Sequence, residues 1–175
     1  MIYVIRHGQT DLNKTRKMQG RMGLPLNEHG IEQAKVLRGK LQCIPFDIVF
    51  SSPQERAVQT ADLVTGSKVV VDERLDVYDL GEADKLPIEK VKMVGPLPDS
   101  TVYQGVEDPN KFVARVFSFM KELEMLCEKQ KLNNILIAGH RCTTGCIGAY
   151  FKGIPKDGNV MKYSSDTGDY KTYRF

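Results

Sequence analysis

Ile2-Tyr3-Val4-Ile5-Arg6-His7-Gly8-Gln9-Thr10 is the stretch on which the reading of this chain turns. Four apolar residues, rich in β-branching and bounded by a glycine, read as a short buried strand. The polar residues then fall at its carboxyl end, where open α/β sheets place their ligands. Arg6 offers a planar fork of donors that matches a phosphoryl group. A neutral His7 offers a nucleophilic ring nitrogen near pH 7. Gly8 has no Cβ and lets the backbone come close to a ligand. Taken alone, these three residues read equally well as loop side chains facing water.

Outward from this strand, the chain alternates strand and helix. A polar loop over residues 11–26 leads to Asn27, a helix N-cap, followed by Ile31, Ala34, Leu37 and Leu41 at helical spacing. A second strand, 47–50, runs into Ser51-Ser52-Pro53-Gln54-Glu55-Arg56. Here Ser52 is expected to cap a helix, Pro53 to occupy its first position and Glu55 to complete a capping box. Arg56 then lies in the first turn, where a helix N-terminus itself attracts anions. Val69-Val70-Val71 is a third strand. Residues 72–85 are acidic and irregular, and 85–104 read as a variable loop with a short helix over 88–94. Asp108-Pro109 caps the longest helix, which carries Phe112, Val113, Val116, Met120, Leu123 and Leu126 on one face. Ile135-Leu136-Ile137-Ala138 is a fourth strand ending in Gly139-His140-Arg141, with a helix over 143–151 behind it. Residues 160–163 and 170–173 are expected to pair as terminal strands. This alternation argues for an α/β fold with a mostly parallel sheet.

The bulk properties narrow the function classes. The 175 residues suit one domain, 1–175, and 41% apolar with 27% charged residues is ordinary for a globular protein. A net charge of +3 with Lys and Arg scattered among acids argues against a nucleic-acid-binding face. No apolar run approaches membrane-spanning length. The first residues enter a strand at once, which leaves no room for a signal peptide, so a cytoplasmic location is expected. Cys43, Cys127, Cys142 and Cys146 follow no disulfide pattern. Cys142 and Cys146 stand beside His140, but a zinc site needs a fourth ligand and usually a tighter cysteine pair. They are read as core thiols, and no metal or cofactor is expected. The basic cluster Lys14, Arg16, Lys17 and Arg21 reads either as the mouth of an anion site or as a solvated loop. Oligomeric state leaves no signal in the sequence.

Three strands thus end in Arg-His-Gly, Ser-Ser-Pro-x-x-Arg and Gly-His. In a parallel sheet these ends share one edge, which gathers His7, His140, Arg6 and Arg56 around one hollow suited to a dianion. With Thr10 and Asn13 after the first strand, Ser51 to Pro53 with Arg56, Ala57, Gln59, Thr60 and Ala61 after the second, and Gly139-His140, the chain resembles the histidine phosphatase superfamily in its phosphoglycerate-mutase-like branch. Leu24-Pro25-Leu26, Gly30 and Gln33-Ala34 follow the family in order, so the resemblance spans nearly the whole chain. It implies a three-layer α/β/α sandwich with a mostly parallel central sheet, and a phosphorylated small molecule as substrate. By the same resemblance, His7 is the nucleophile that forms a phosphohistidine. Arg6, Arg56 and His140 bind the phosphoryl oxygens, and Asn13 adds a hydrogen bond. The residue pattern by itself does not say which histidine attacks.

The chain departs from the family in three places. The pattern Arg-Leu-x-Glu-x-x-x-Gly is met by Arg74, Leu75 and Gly81, but Val77 stands where the family places its acid. That acid protonates the leaving oxygen, a step worth ~10²–10⁴-fold in rate. Replacements in reach are Asp79, on the same side as position 77 if the segment is extended, Glu82 beside its glycine, and Glu107; Asp76 falls on the other side. Each also reads as an exposed loop carboxylate. Without an internal acid, substrates with good leaving groups are expected: acyl phosphates, phosphohistidine or aryl phosphates. Arg141-Cys142 follows His140 where the family has small residues, so Arg141 either adds charge at the rim or faces solvent. The length is short for a phosphoglycerate mutase, which favours a phosphatase. The rivals are a mutase-type phosphotransferase and, because of Val77, a non-catalytic phospholigand-binding relative.

Overall fold

The computed structural model describes residues 1–175. In chain order the strands are β1 (Ile2–Arg6), β2 (Ile48–Ser51), β3 (Val69–Val71), β4 (Met93–Val94), β5 (Leu97–Pro98), β6 (Ile135–Gly139) and β7 (Tyr170–Tyr173). The helices are α1 (Asp11–Lys14), α2 (Glu28–Leu41), α3 (Glu55–Thr65), α4 (Pro109–Gln130) and α5 (Arg141–Lys152). The main sheet runs β3-β2-β6-β1-β7, all parallel except β7, and β4 and β5 form a separate antiparallel hairpin.

Strict alternation along the strands explains the layers. Ile2, Val4, Ile135 and Ile137 face one side of the sheet, where α4 and α5 bring Phe112, Val116, Met120 and Ile147. Ile5, Val49, Leu136 and Ala138 face the other side, where α2 and α3 bring Ala34, Leu37, Leu41 and Val64. The sheet is therefore the middle of three layers with a core on each face, and β6 is buried along its whole length. No helix is long and apolar enough to cross a membrane.

Several local expectations are corrected. The helix after β2 starts at Glu55, with Gln54 as cap residue and no side-chain capping bond. Ser52 Oγ does accept the Gln54 N–H at 3.2 Å, but the same oxygen is held by His140 Nε2 at 2.7 Å, so the serine serves the site rather than the helix. The helix expected over 88–94 is one 3₁₀ turn, Ile88–Lys90, followed by the hairpin. Val160–Tyr163 is a 3₁₀ turn packed on α5 instead of a strand, and the partner of β7 is β1, with which it pairs antiparallel. Asp11–Lys14 forms a single helical turn inside the loop after β1, closed by a capping box between Thr10 and Asn13. The helix after β6 begins directly at Arg141, two residues earlier than periodicity indicates.

Candidate active site

Register brings the polar strand ends together. Arg6 pairs with Gly139 across β1 and β6, so His7 and His140, each the next residue, emerge side by side. Their ring centroids stand 5.2 Å apart. Ser51 pairs with Ala138, so Ser52 emerges on the other flank of β6 and reaches the ring of His140. Both imidazoles are buried, with 3% and 2% of their surface exposed.

The hydrogen bonds orient each ring. His7 Nδ1 lies 2.7 Å from the Gly8 carbonyl oxygen. A carbonyl only accepts, so Nδ1 carries the hydrogen and Nε2 keeps its lone pair. His140 Nε2 meets Ser52 Oγ, and its Nδ1 is buried without a protein partner. The Nε atoms of Arg6 and Arg56 are orphaned in the same way. Buried polar atoms are almost always paired. Three unpaired nitrogens around one pair of imidazoles mark a place built for an acceptor-rich anion. Asn13 Oδ1 accepts from the Thr10 N–H at 3.0 Å, which leaves its Nδ2 donors for the cavity that Asn13 lines. The N-terminus of α5 opens directly after His140, with no side-chain cap, and adds its positive dipole end.

The electrostatics follow from burial among cations. Burial first, and Arg56 second, push His7 down to about 3. The same two causes, in the same order, hold His140 well below the usual imidazole range. Burial and the neighbouring charge of Arg141 lower Arg6, and burial lowers Arg56 to about 10. Both rings are therefore neutral at pH 7, and a neutral ring is the nucleophilic form.

The structure places the expected residues as follows. Arg6, His7, Asn13 and His140 line one cavity of about 240 Å³. Arg56, 1% exposed, lies behind its wall as the leading charge on both imidazoles. It donates from Nη2 to the Gly20 carbonyl at 3.0 Å. A Cβ on Gly23 would meet Arg56 Nη1 at 2.1 Å, so only glycine lets that loop cover the guanidinium. Of the basic cluster, Lys17 lines the cavity, whereas Arg21 is drawn off by Asp76 at 3.3 Å and Asp79 at 3.6 Å. Arg141 lines it too, which places its charge at the site.

Val77, at the acid position, is buried on the cavity wall. Asp79 and Glu82 are not among the lining residues: Asp79 pairs with Arg21, and the exposed Glu82 accepts the Gln104 N–H. Gly8 approaches a neighbouring segment rather than a ligand, since a Cβ there would meet the Gly30 carbonyl oxygen at 2.5 Å. Cys142 and Cys146 are buried free thiols, and no three side chains of metal-ligating type gather anywhere in the chain.

Two functional contacts escape sequence reasoning. Ser52, whose pattern reads as a helix cap, is the partner of His140. Arg115, on α4, donates to the carbonyls of Arg74, Asp76 and Val77 and holds Glu107 through Nε at 2.8 Å and Nη2 at 3.0 Å. It clamps the segment that presents Val77. Nothing in the sequence distinguishes it from any other helical arginine.

Comparison with known proteins agrees with this geometry. The family model described as histidine phosphatase superfamily (branch 1) matches residues 2–160. A relative from Hydrogenobacter thermophilus, named "Putative phosphoserine phosphatase 2", is 30% identical over 164 residues, covering 87% of this chain and 79% of its own. "Probable phosphoglycerate mutase GpmB" of Klebsiella pneumoniae is 26% identical over 88% of this chain and 75% of its own. The crystal structure of the α-ribazole phosphatase from Shigella flexneri superposes with a TM-score of 0.81 at 26% identity, covering 97% of this chain and 87% of that one. A family match over most of the length, on a fold that unites the motif residues in one hollow, leads to one conclusion: the chain belongs to the histidine phosphatase superfamily, branch 1.

Proposed function

We propose that the protein is a phosphatase that hydrolyses a phosphorylated small molecule through a phosphohistidine on His7. The observation that carries this reading is the hydrogen bond from His7 Nδ1 to the Gly8 carbonyl, which leaves Nε2 as a neutral nitrogen with no protein partner on the cavity. Nε2 attacks phosphorus, the bond to the leaving oxygen breaks, and water then releases phosphate and restores the ring. Arg6 and His140 take up the phosphoryl oxygens through nitrogens that have no protein partner, Arg56 adds its charge from behind the cavity wall, and Asn13 adds an amide donor. Donors fixed before the reaction stabilise the charge that spreads over those oxygens in transfer. The phosphatase names among the relatives, for phosphoserine and for α-ribazole phosphate, support hydrolysis. The mutase names support transfer between substrate positions as the second reading.

Labelling separates both readings from a non-catalytic binder, and a coupled assay separates them from each other. Mixing with a radiolabelled phosphodonor and quenching in alkali should trap acid-labile phosphate on His7. A coupled assay with 3-phosphoglycerate should show release of inorganic phosphate, if anything, and no 2-phosphoglycerate. Full hydrolysis by His7→Ala defeats the phosphohistidine route, and 2-phosphoglycerate formation replaces it with the mutase.

A further inference from the structure

The cavity lining is of two unlike kinds. One is the cluster of imidazoles and guanidinium groups. The other is apolar: Val77, Leu80, Ile88, Met93, Leu97 and Met161, the hairpin β4–β5 supplying Met93 and Leu97. No carboxylate lies anywhere on this lining. Those nearby have other tasks. Asp76 accepts from Gln54 Nε2 and the Val77 N–H and faces Arg21. Asp79 accepts the Gly81 N–H. Asp84 accepts the N–H groups of Gly20 and Met22. Glu107 accepts from Arg115 and from the Asp79 N–H. The Tyr78 hydroxyl donates to the Glu107 carbonyl and is likewise spent. At the rim stand Lys17 and Arg141, cations suited to stabilise negative charge on whatever departs.

Building on the phosphatase reading above, we propose that the preferred substrates are phosphate monoesters of aromatic hydroxyls, with a flat apolar body against the apolar lining and an oxygen that leaves as a weakly basic anion. An alkoxide leaves almost as reluctantly as hydroxide and needs a proton in transit, which no carboxylic acid on this lining provides. A phenolate, its conjugate acid near 10 as for a tyrosine side chain, leaves unassisted far more readily. The step balances without a further reactant. The Nε2 lone pair forms the nitrogen–phosphorus bond, and the phosphorus–oxygen bond breaks with its electron pair going to the phenolate. Attack by water on the phosphohistidine then gives inorganic phosphate, and the proton this releases neutralises the phenolate.

The test is a leaving-group series on the wild-type protein: p-nitrophenyl, phenyl, p-methoxyphenyl and benzyl phosphates. Benzyl phosphate keeps the aromatic ring but departs as an alkoxide. The expected result is a steep rise of kcat/KM with the acidity of the phenol, and benzyl phosphate slower than phenyl phosphate by ~10² or more, the span that a missing general acid leaves open. The apolar wall is tested with inert analogues, where phenylphosphonate should inhibit at least ~10-fold more tightly than methylphosphonate. Benzyl phosphate within about threefold of phenyl phosphate would overturn the proposal by revealing an internal acid. Equal inhibition by the two phosphonates would overturn it on the side of the wall. His7→Ala hydrolysing p-nitrophenyl phosphate at the wild-type rate would instead sink the phosphatase reading beneath it.

Discussion

Acidification from pH 7.5 to pH 5.0 should cost this protein about 2 kcal/mol of stability through His7, with a further loss of the same sign through His140, by the linkage between burial and protonation. His7 and His140 are buried and neutral in the fold, the first held down to about 3 and the second well below its usual range, each by burial and then by Arg56. In the unfolded chain each titrates near 6.5. Between the folded and unfolded values the unfolded chain binds more protons, so stability rises with pH there. The contribution is fully present above about 6.5 and is lost as pH falls toward the folded value. At pH 5.0 the medium is about 1.5 units below the unfolded value, and His7, held at about 3, contributes about 2 kcal/mol of loss, at roughly 1.4 kcal/mol per unit. For a domain stable by some 5–15 kcal/mol, about 2 kcal/mol is a sizeable share. Ordinary carboxylates titrate lower, near 4, and add little in this window. The chain has no tryptophan, so urea unfolding is best followed by far-ultraviolet circular dichroism at the two pH values. His7→Asn should lose about 2 kcal/mol less than the wild type over the same interval. Imidazole proton resonances of His7 should stay fixed from pH 7.5 to 5.0, and those of His140 should titrate well below the usual imidazole range. A midpoint near 6.5 for either ring, or an equal pH loss in wild type and the His7→Asn, His140→Asn double variant, refutes the reasoning.

Three further outcomes follow from individual contacts. Arg56→Lys keeps a charge but not the planar fork behind the imidazoles; kcat with p-nitrophenyl phosphate should fall ~10²–10³-fold, with far-ultraviolet circular dichroism unchanged. Gly8→Ala drives a Cβ to 2.5 Å from the Gly30 carbonyl oxygen and should destabilise by about 1–3 kcal/mol in urea unfolding. Arg115→Met leaves Glu107 and the carbonyls of Arg74, Asp76 and Val77 without their donor. A loss of about 3–5 kcal/mol is expected for breaking a largely buried charged cluster on one side, read as a lowered midpoint in urea.

Arg115 and Ser52 also show where sequence reading stops. The strands of β1, β2 and β6 are legible because apolar runs of this length have one economical use, a buried strand, and their polar ends are legible because a parallel sheet exposes them on one edge. The long helix α4 is legible for a similar reason: Asp108 and Pro109 mark its start and an apolar face marks its course. The segment 88–94 and the turn at Val160–Tyr163 are misread, because short apolar stretches are consistent with helix, strand or turn until a neighbour claims them. In the second case the neighbour is α5, on which the turn packs.

The sequence by itself determined the family and the layered α/β plan, and it proposed His7, Arg6, Arg56 and His140 as site residues, since each is tied to a local pattern of strand, turn and helix start. Only the tertiary structure decided how they act. The tautomer of His7 depends on one carbonyl 2.7 Å away, and the ring of His140 on a serine 88 residues earlier in the chain. The fate of each carboxylate between Asp76 and Glu107 depends on which cation or backbone N–H packs against it. Hydrogen bonds and burial act across space within a few ångströms, and no spacing along the chain encodes which distant groups will come that close.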